Sequence, residues 1–125
     1  MLTLLNFSHP LSDEGREALK NLAGDVEITE INVPCQIDLG KPLEAEVTRL
    51  VHEAFFRVNT PLDVDMVIPP SLSYAAALLP LVWARLAGTW TANIVVVSKV
   101  PDSLPPRFVP SQIVPAQMVR YQYDM

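Results

Sequence analysis

Glycine and cysteine are scarce in this chain of 125 residues, which contains four glycines and one cysteine. No glycine sits where a GxGxxG or GKS/T loop would need it, so ordinary dinucleotide and nucleotide-triphosphate binding are excluded. Cys35 has no second cysteine to pair with, which excludes an internal disulfide and fits a reducing cytoplasm. Serine hydrolase chemistry also has no visible nucleophile, because the GxSxG turn is missing.

Positive charge is scarce as well. Nine lysines and arginines face fourteen acidic residues, for a net charge of −5, and attraction to bulk DNA or RNA needs a basic stripe. A small anion held by backbone N–H groups and one or two cations stays possible. His9, His52 and Cys35 lack the spacing of a zinc site, so we predict no metal and no cofactor.

No signal or membrane segment is expected. Residues 1–7 are apolar but lack a basic start, and Pro80 and Arg85 interrupt the apolar run 74–87. Half of the residues are nevertheless apolar, with a mean hydropathy of +0.24. Surplus apolar surface on a small chain is often covered by another subunit, so we expect at least a homodimer. Helix 74–87, apolar nearly all round, is the favoured contact; being sandwiched inside the fold is the alternative.

Strand and helix patterns alternate along the chain. Strands are predicted at 1–7, 26–33, 64–68 and 93–100, with the last in a central position. Helices are predicted from the cap Ser12 to Gly24, from a first turn that contains Pro42, and from the cap Ser73 to Gly88. This order predicts a minimal Rossmann-like parallel sheet flanked by helices, in an α/β domain of residues 1–100. Residues 101–125 form a proline-rich extension, whose alternating end at 119–123 fits an edge strand of this sheet or of a partner's.

Three predicted strand-to-helix turns carry small polar residues, at 6–10, 34–38 and 69–73. Loops that follow parallel strands lie on one edge of the sheet, where helix N-termini offer N–H groups to anions. We therefore predict a ligand site at this edge. The candidate contact residues are Asn6, Ser8, His9, Gln36, Asp38, Pro70, Ser71, Ser73 and Lys99.

Each candidate also has a purely structural interpretation. His9 is either a proton-transfer group or a turn residue, and Asn6 either pins its loop or faces a ligand. Ser73 serves as a helix cap in any case, and for Asp38 we favour a turn-stabilising role. Lys99 is the best-placed cation for a phosphate. Three further arginines are candidate cations whose position relative to this edge the sequence does not indicate: Arg57, Arg107 and Arg120. His52 is predicted to be a solvated surface residue.

The segments 4–12, 33–39 and 69–78 together resemble a family of small accessory proteins of type III CRISPR systems, which are related to the CARF sensor domain. The resemblance covers about the first hundred residues. It implies a CARF-like dimer that binds cyclic oligoadenylate, foremost the tetra-adenylate ring, across its two-fold axis. Proteins of that group lower the level of this second messenger in antiviral defence.

The resemblance leaves two modes of action open. Tight binding with slow or absent turnover is favoured, because the sequence offers just two candidate catalytic residues, His9 and Lys99. The alternative is a metal-independent ring nuclease, in which a ribose 2′-hydroxyl attacks its own phosphate to give a cyclic phosphate. A protein-binding assembly scaffold without a nucleotide ligand is the alternative from another class. A phosphoesterase acting on another substrate is weaker still, since no carboxylate cluster is visible for a metal.

Overall fold

Strands and helices alternate along the computed structural model, which describes residues 1–116. The elements are β1 (Leu2–Asn6), α1 (Asp13–Leu22), β2 (Ile28–Asn32), α2 (Leu43–Phe56), a short 3-10 turn (Pro61–Asp63), β3 (Met66–Ile68), α3 (Ser73–Ala87), β4 (Asn93–Lys99) and β5 (Phe108–Val114). All four predicted strands and all three predicted helices are present. The predicted edge strand at 119–123 lies outside the described residues.

The five strands form one sheet in the order β2-β1-β3-β4-β5. The first four are parallel, whereas β5 runs antiparallel to β4. The sheet and its flanking helices make a minimal Rossmann-like α/β fold, which confirms the predicted class. β4, which was predicted to be central, lies between β3 and β5 and is an inner strand, whereas the middle strand of the five is β3.

An additional strand comes from the proline-rich segment. β5 accommodates Pro110 opposite Val97, next to a register shift between Val96 and Val97. A shift of this kind, at the outer strand of a sheet, tolerates a residue without an N–H group. The C-terminal extension thus adds an outer strand to the sheet.

The sheet separates two apolar cores. Leu5 and Val67 point towards α2 and α3, together with buried residues such as Leu50 and Leu79. Leu4, the neighbour of Leu5, belongs to the second core on the side of α1, because successive strand residues point to opposite faces. β4 and β5 contribute to this second core through Val95, Val97 and Ile113.

The helix boundaries follow the predicted caps with one exception. Ser12 caps α1 by accepting a hydrogen bond from the Gly15 N–H at 3.1 Å, and Gly88 ends α3 at a φ of +87°. The predicted cap Ser73 is wrong: Ser73 is the first helical residue, and Leu72 occupies the cap position without a side-chain hydrogen bond. The first turn of α3 therefore has no side-chain acceptor for its N–H groups.

Helix α3 buries only one of its faces. Ala75, Leu79 and Trp83 are buried, and the Trp83 ring meets Phe55 of α2 edge-on at a centroid distance of 4.8 Å. Tyr74 and Leu81 lie elsewhere on the helix and are 71% and 68% exposed. Within the single chain, α3 is thus not sandwiched. No helix formed by residues 1–116 is long and apolar enough to cross a membrane.

We expect Ile113→Asp to lower the free energy of unfolding by about 1–3 kcal/mol, because the charge would enter the core beside α1. Gln112→Asp, one residue earlier on the exposed face of β5, should change it by less than about 0.5 kcal/mol. Urea unfolding of the full-length variants measures both changes. Equal, small effects would mean that β5 is not part of the cooperative unit.

Candidate functional site

A groove opens where β3 and β4 differ in length. The pairing of β3 with β4 ends at Val67 and Ile94, so the second half of β4 has no strand partner on that side among the described residues. The β1–α1 and β3–α3 loops border the resulting gap, together with the start of β5. We call this space, of about 1030 Å³, the carboxyl-edge groove; its lining includes Ser8, His9, Pro70, Ser71, Arg107 and Phe108.

The groove brings together four of the nine candidate residues. Ser8 and His9 approach it from the β1–α1 loop, and Pro70 and Ser71 from the β3–α3 loop. These two loops are neighbours because β1 and β3 pair directly. The strand order thus unites the first and third of the predicted polar turns.

The second polar turn does not reach the groove. Gln36 and Asp38 follow β2, which β1 separates from β3, and neither residue lines the groove. Asp38 Oδ1 accepts a hydrogen bond from the Gly40 N–H at 2.9 Å, which confirms the favoured turn-stabilising interpretation. The carbonyl oxygen of Gln36 accepts a hydrogen bond from Arg49 Nη2 at 2.6 Å.

Asn6 holds the β1–α1 loop in place. Its buried side chain donates from Nδ2 to the His9 carbonyl oxygen and to Glu30 Oε2, both at 2.9 Å. Its Oδ1 accepts the Ser8 N–H at 2.8 Å. Both amide donors and an acceptor are thus used within the protein, so Asn6 positions Ser8 and His9 and does not itself face the groove.

Glu30 supports the same loop from β2, a role that the sequence did not indicate. The carboxylate accepts hydrogen bonds from Asn6, from the Leu11 N–H at 3.0 Å and from Arg16 Nε at 3.2 Å. In the sequence, Glu30 breaks the alternation of β2, because it stands where a third apolar residue would follow Val26 and Ile28. That break was the available signal for a partly buried carboxylate, which fixes both ends of the loop.

Arg107 is the groove cation, in place of the predicted Lys99. Lys99 is exposed and stands opposite Phe108 in the β4–β5 pairing, but it does not line the groove. Arg107, at the end of the β4–β5 connection, is the one lysine or arginine among the described lining residues. Its Nη1 lies 2.6 Å from Glu14 Oε2.

The groove combines a polar rim with an apolar wall. Ser8, His9 and Ser71 form the rim, next to the uncapped first turn of α3. The wall includes Ile68, Val97 and the exposed aromatic ring of Phe108. Hydroxyl and N–H groups suit phosphate oxygens, whereas an aromatic ring beside aliphatic side chains suits the face of a base. Ser73 is exposed but lies outside the lining.

Neither of the two histidines nor the cysteine belongs to a cluster of metal ligands among the described residues. Within residues 1–116, no group of three or more histidine, cysteine, aspartate or glutamate side chains is arranged to hold a metal ion. His52 is exposed on α2, as predicted. Partial burial raises the pKa of the Cys35 thiol, which lowers its reactivity.

Comparisons with known proteins add no relative. No family model, curated protein or solved structure matches this chain.

A buried glutamate of α2 holds the turn after β2. Glu46 accepts the Asp38 N–H at 2.8 Å, and this hydrogen bond, assisted by Arg49, holds the pKa of the Glu46 carboxyl below its usual value of 4.5. A carboxyl whose pKa is lowered by folding stabilises the protein above the pKa of the unfolded state. That contribution is lost as the pH falls through the folded-state pKa.

We expect Glu46→Gln to flatten the acid side of the stability profile. Wild type should lose more of its melting temperature between pH 6 and pH 3 than the variant, because only the wild type must protonate the hydrogen-bonded carboxylate. At pH 7 the variant should be the less stable of the two. Melting curves over this range test the prediction, which parallel profiles of the two proteins would contradict.

Proposed function

We propose that the carboxyl-edge groove binds cyclic oligoadenylate, foremost cyclic tetra-adenylate, and that this cytoplasmic protein lowers the messenger level mainly by holding it. The observation that carries the proposal is the meeting of Ser8, His9 and Ser71 in one groove, with Ser71 directly before the uncapped start of α3. The resemblance to type III CRISPR accessory proteins supplies the ligand class. The groove contains hydroxyl groups that suit the phosphates of this ligand and an aromatic ring that suits its bases.

Phosphate recognition at this site would use neutral donors. The hydroxyl groups of Ser8 and Ser71 line the groove and are suited to phosphate oxygens, and they carry no net charge. Such a site is compatible with a chain whose net charge is −5. Base recognition would use the ring of Phe108, because aromatic side chains stack on bases.

The size of the groove supports a ligand larger than one nucleotide. Its volume of about 1030 Å³ lies at the upper end of ordinary ligand pockets, which span roughly 300–1,000 Å³. A symmetric ring would also fit a site doubled by a two-fold axis. We propose that a second copy of the chain supplies the other half and covers the exposed Tyr74 and Leu81 of α3.

The sparse set of acid–base groups supports holding over cleavage. His9 is the single histidine of the groove, and the one carboxylate on the described lining, Glu14, is ion-paired with Arg107. Cleavage by a ribose 2′-hydroxyl would depend on alignment, with one general acid or base adding about 10²–10⁴-fold. A ring nuclease that uses His9 is the second candidate, since His9 is exposed and lies at the rim.

A thermal-shift screen tests binding. Cyclic tetra-adenylate at a hundred times its dissociation constant should add about 2.7 kcal/mol to the stability of the folded state. We expect Ser71→Asp to weaken binding by about tenfold or more, because the added carboxylate repels phosphate. The control is Thr89→Asp, which places the same charge at an exposed position just after the far end of α3. The absence of a shift with cyclic tri-, tetra- and hexa-adenylate would favour the scaffold alternative.

Turnover is tested separately with labelled cyclic tetra-adenylate in tenfold molar excess over the protein. We expect less than one product molecule per protein chain within the lifetime of the protein–ligand complex. His9→Ala should still bind the ligand. His52→Ala removes the exposed histidine of α2 and serves as the control. Many turnovers that disappear in His9→Ala and persist in His52→Ala would establish the nuclease alternative and make His9 its acid–base group.

A further inference from the structure

We infer that Arg107 is the phosphate-binding cation of the carboxyl-edge groove and that Glu14 occupies its guanidinium until the ligand displaces it. The inference rests on the proposed function and adds a charge contact to it. Glu14 then competes with the ligand for Arg107 and lowers the affinity of the site for all anions.

The position of Arg107 is the first argument. Both Arg107 and Glu14 line the groove, and their side chains approach to 2.6 Å from opposite sides, the connection before β5 and the first turn of α1. Arg107 is the one lysine or arginine on the lining formed by residues 1–116. An anion that enters the groove would therefore find the one lysine or arginine of its described lining already paired.

The backbone around Arg107 is fixed while its side chain remains accessible. The Arg107 N–H donates to Ser103 Oγ at 3.0 Å, and the Arg107 carbonyl oxygen accepts the Val100 N–H at 2.8 Å. Ser103 is buried, and its hydroxyl donates to the Val100 carbonyl oxygen at 2.8 Å. The backbone of Arg107 is thus held by hydrogen bonds within the β4–β5 connection. Its guanidinium can move from Glu14 to a phosphate by side-chain rotation alone.

The ion pair is of the kind that exchanges readily. The side chains of Arg107 and Glu14 are 54% and 49% exposed, and ion pairs in water contribute little because solvent screens them. A phosphodiester offers the same guanidinium two oxygens in a matching fork. Phosphate can therefore replace the carboxylate, while Glu14 keeps weaker anions from occupying Arg107.

The chain contains a matched control pair away from the groove. Arg85 Nη1 lies 2.7 Å from Glu44 Oε1, with side chains 57% and 64% exposed, and neither residue lines the groove. Neutralising Glu44 or Arg85 changes the net charge as much as neutralising Glu14 or Arg107. Long-range effects of net charge are thereby separated from effects within the groove.

Calorimetric titration of the full chain with cyclic tetra-adenylate tests the inference. We expect Arg107→Gln to weaken binding by about 10–100-fold, through loss of a charged hydrogen bond. Glu14→Gln should tighten binding by about 2–5-fold, the scale of an exposed ion pair. In the Arg107→Gln background, Glu14→Gln should give no further gain, and Glu44→Gln and Arg85→Gln should stay within about twofold of wild type.

Three results would overturn the inference. Wild-type affinity in Arg107→Gln removes the cation role and leaves the proposed function intact. A gain from Glu14→Gln that persists without Arg107 means that Glu14 acts on the ligand directly. If wild type binds no cyclic oligoadenylate, the proposed function fails, and inorganic pyrophosphate is titrated into the same variants. Equal pyrophosphate affinities would then overturn the role of Arg107 as well.

Discussion

The groove exists because neighbouring parallel strands have unequal lengths. β3 contributes only Met66–Ile68 to the sheet, whereas β4 continues to Lys99. The chain leaves β3 through two prolines, Pro69 and Pro70, and proline cannot donate a hydrogen bond to a strand ladder. The early end of β3 thus leaves the second half of β4 facing open space. The loops that bear Ser8 and Ser71, the connection that bears Arg107 and the apolar wall of β4 all meet there.

A buried polar network gives that open space a defined border. Asn6 and Glu30 together satisfy the backbone of the β1–α1 loop, and Asn6 is fully buried. Loss of one member of such a network lowers the stability of the fold, because the remaining polar groups stay buried without hydrogen bonds. The loop is thus held in one conformation by residues that need not touch a ligand. Ser8 and His9 are presented on a rigid support, which favours binding with little loss of entropy.

Local patterns in the sequence were sufficient for the fold class and for half of the site. Ser12 and Gly88 mark helix ends by chemistry that depends on neighbouring residues alone, and the four parallel strands follow from short apolar runs. The lateral order of the strands has no such local signal, so Gln36 and Asp38 could not be separated from Ser8 and Ser71. β5 was missed because Pro110 argues against a strand, although a register shift admits it. Arg107 could be placed only once the course of that strand was known.

The outer strand β5 gives the sheet an irregular border on one side. β5 bears Pro110 and an irregular register, and both features disfavour the docking of another strand along its free side. Open-ended stacking of sheets is therefore disfavoured at this border, even in crowded solution. The helical layer, in contrast, exposes large side chains such as Tyr74 and Leu81. The irregular border thus protects one side of the sheet against fibre-like aggregation of an apolar chain.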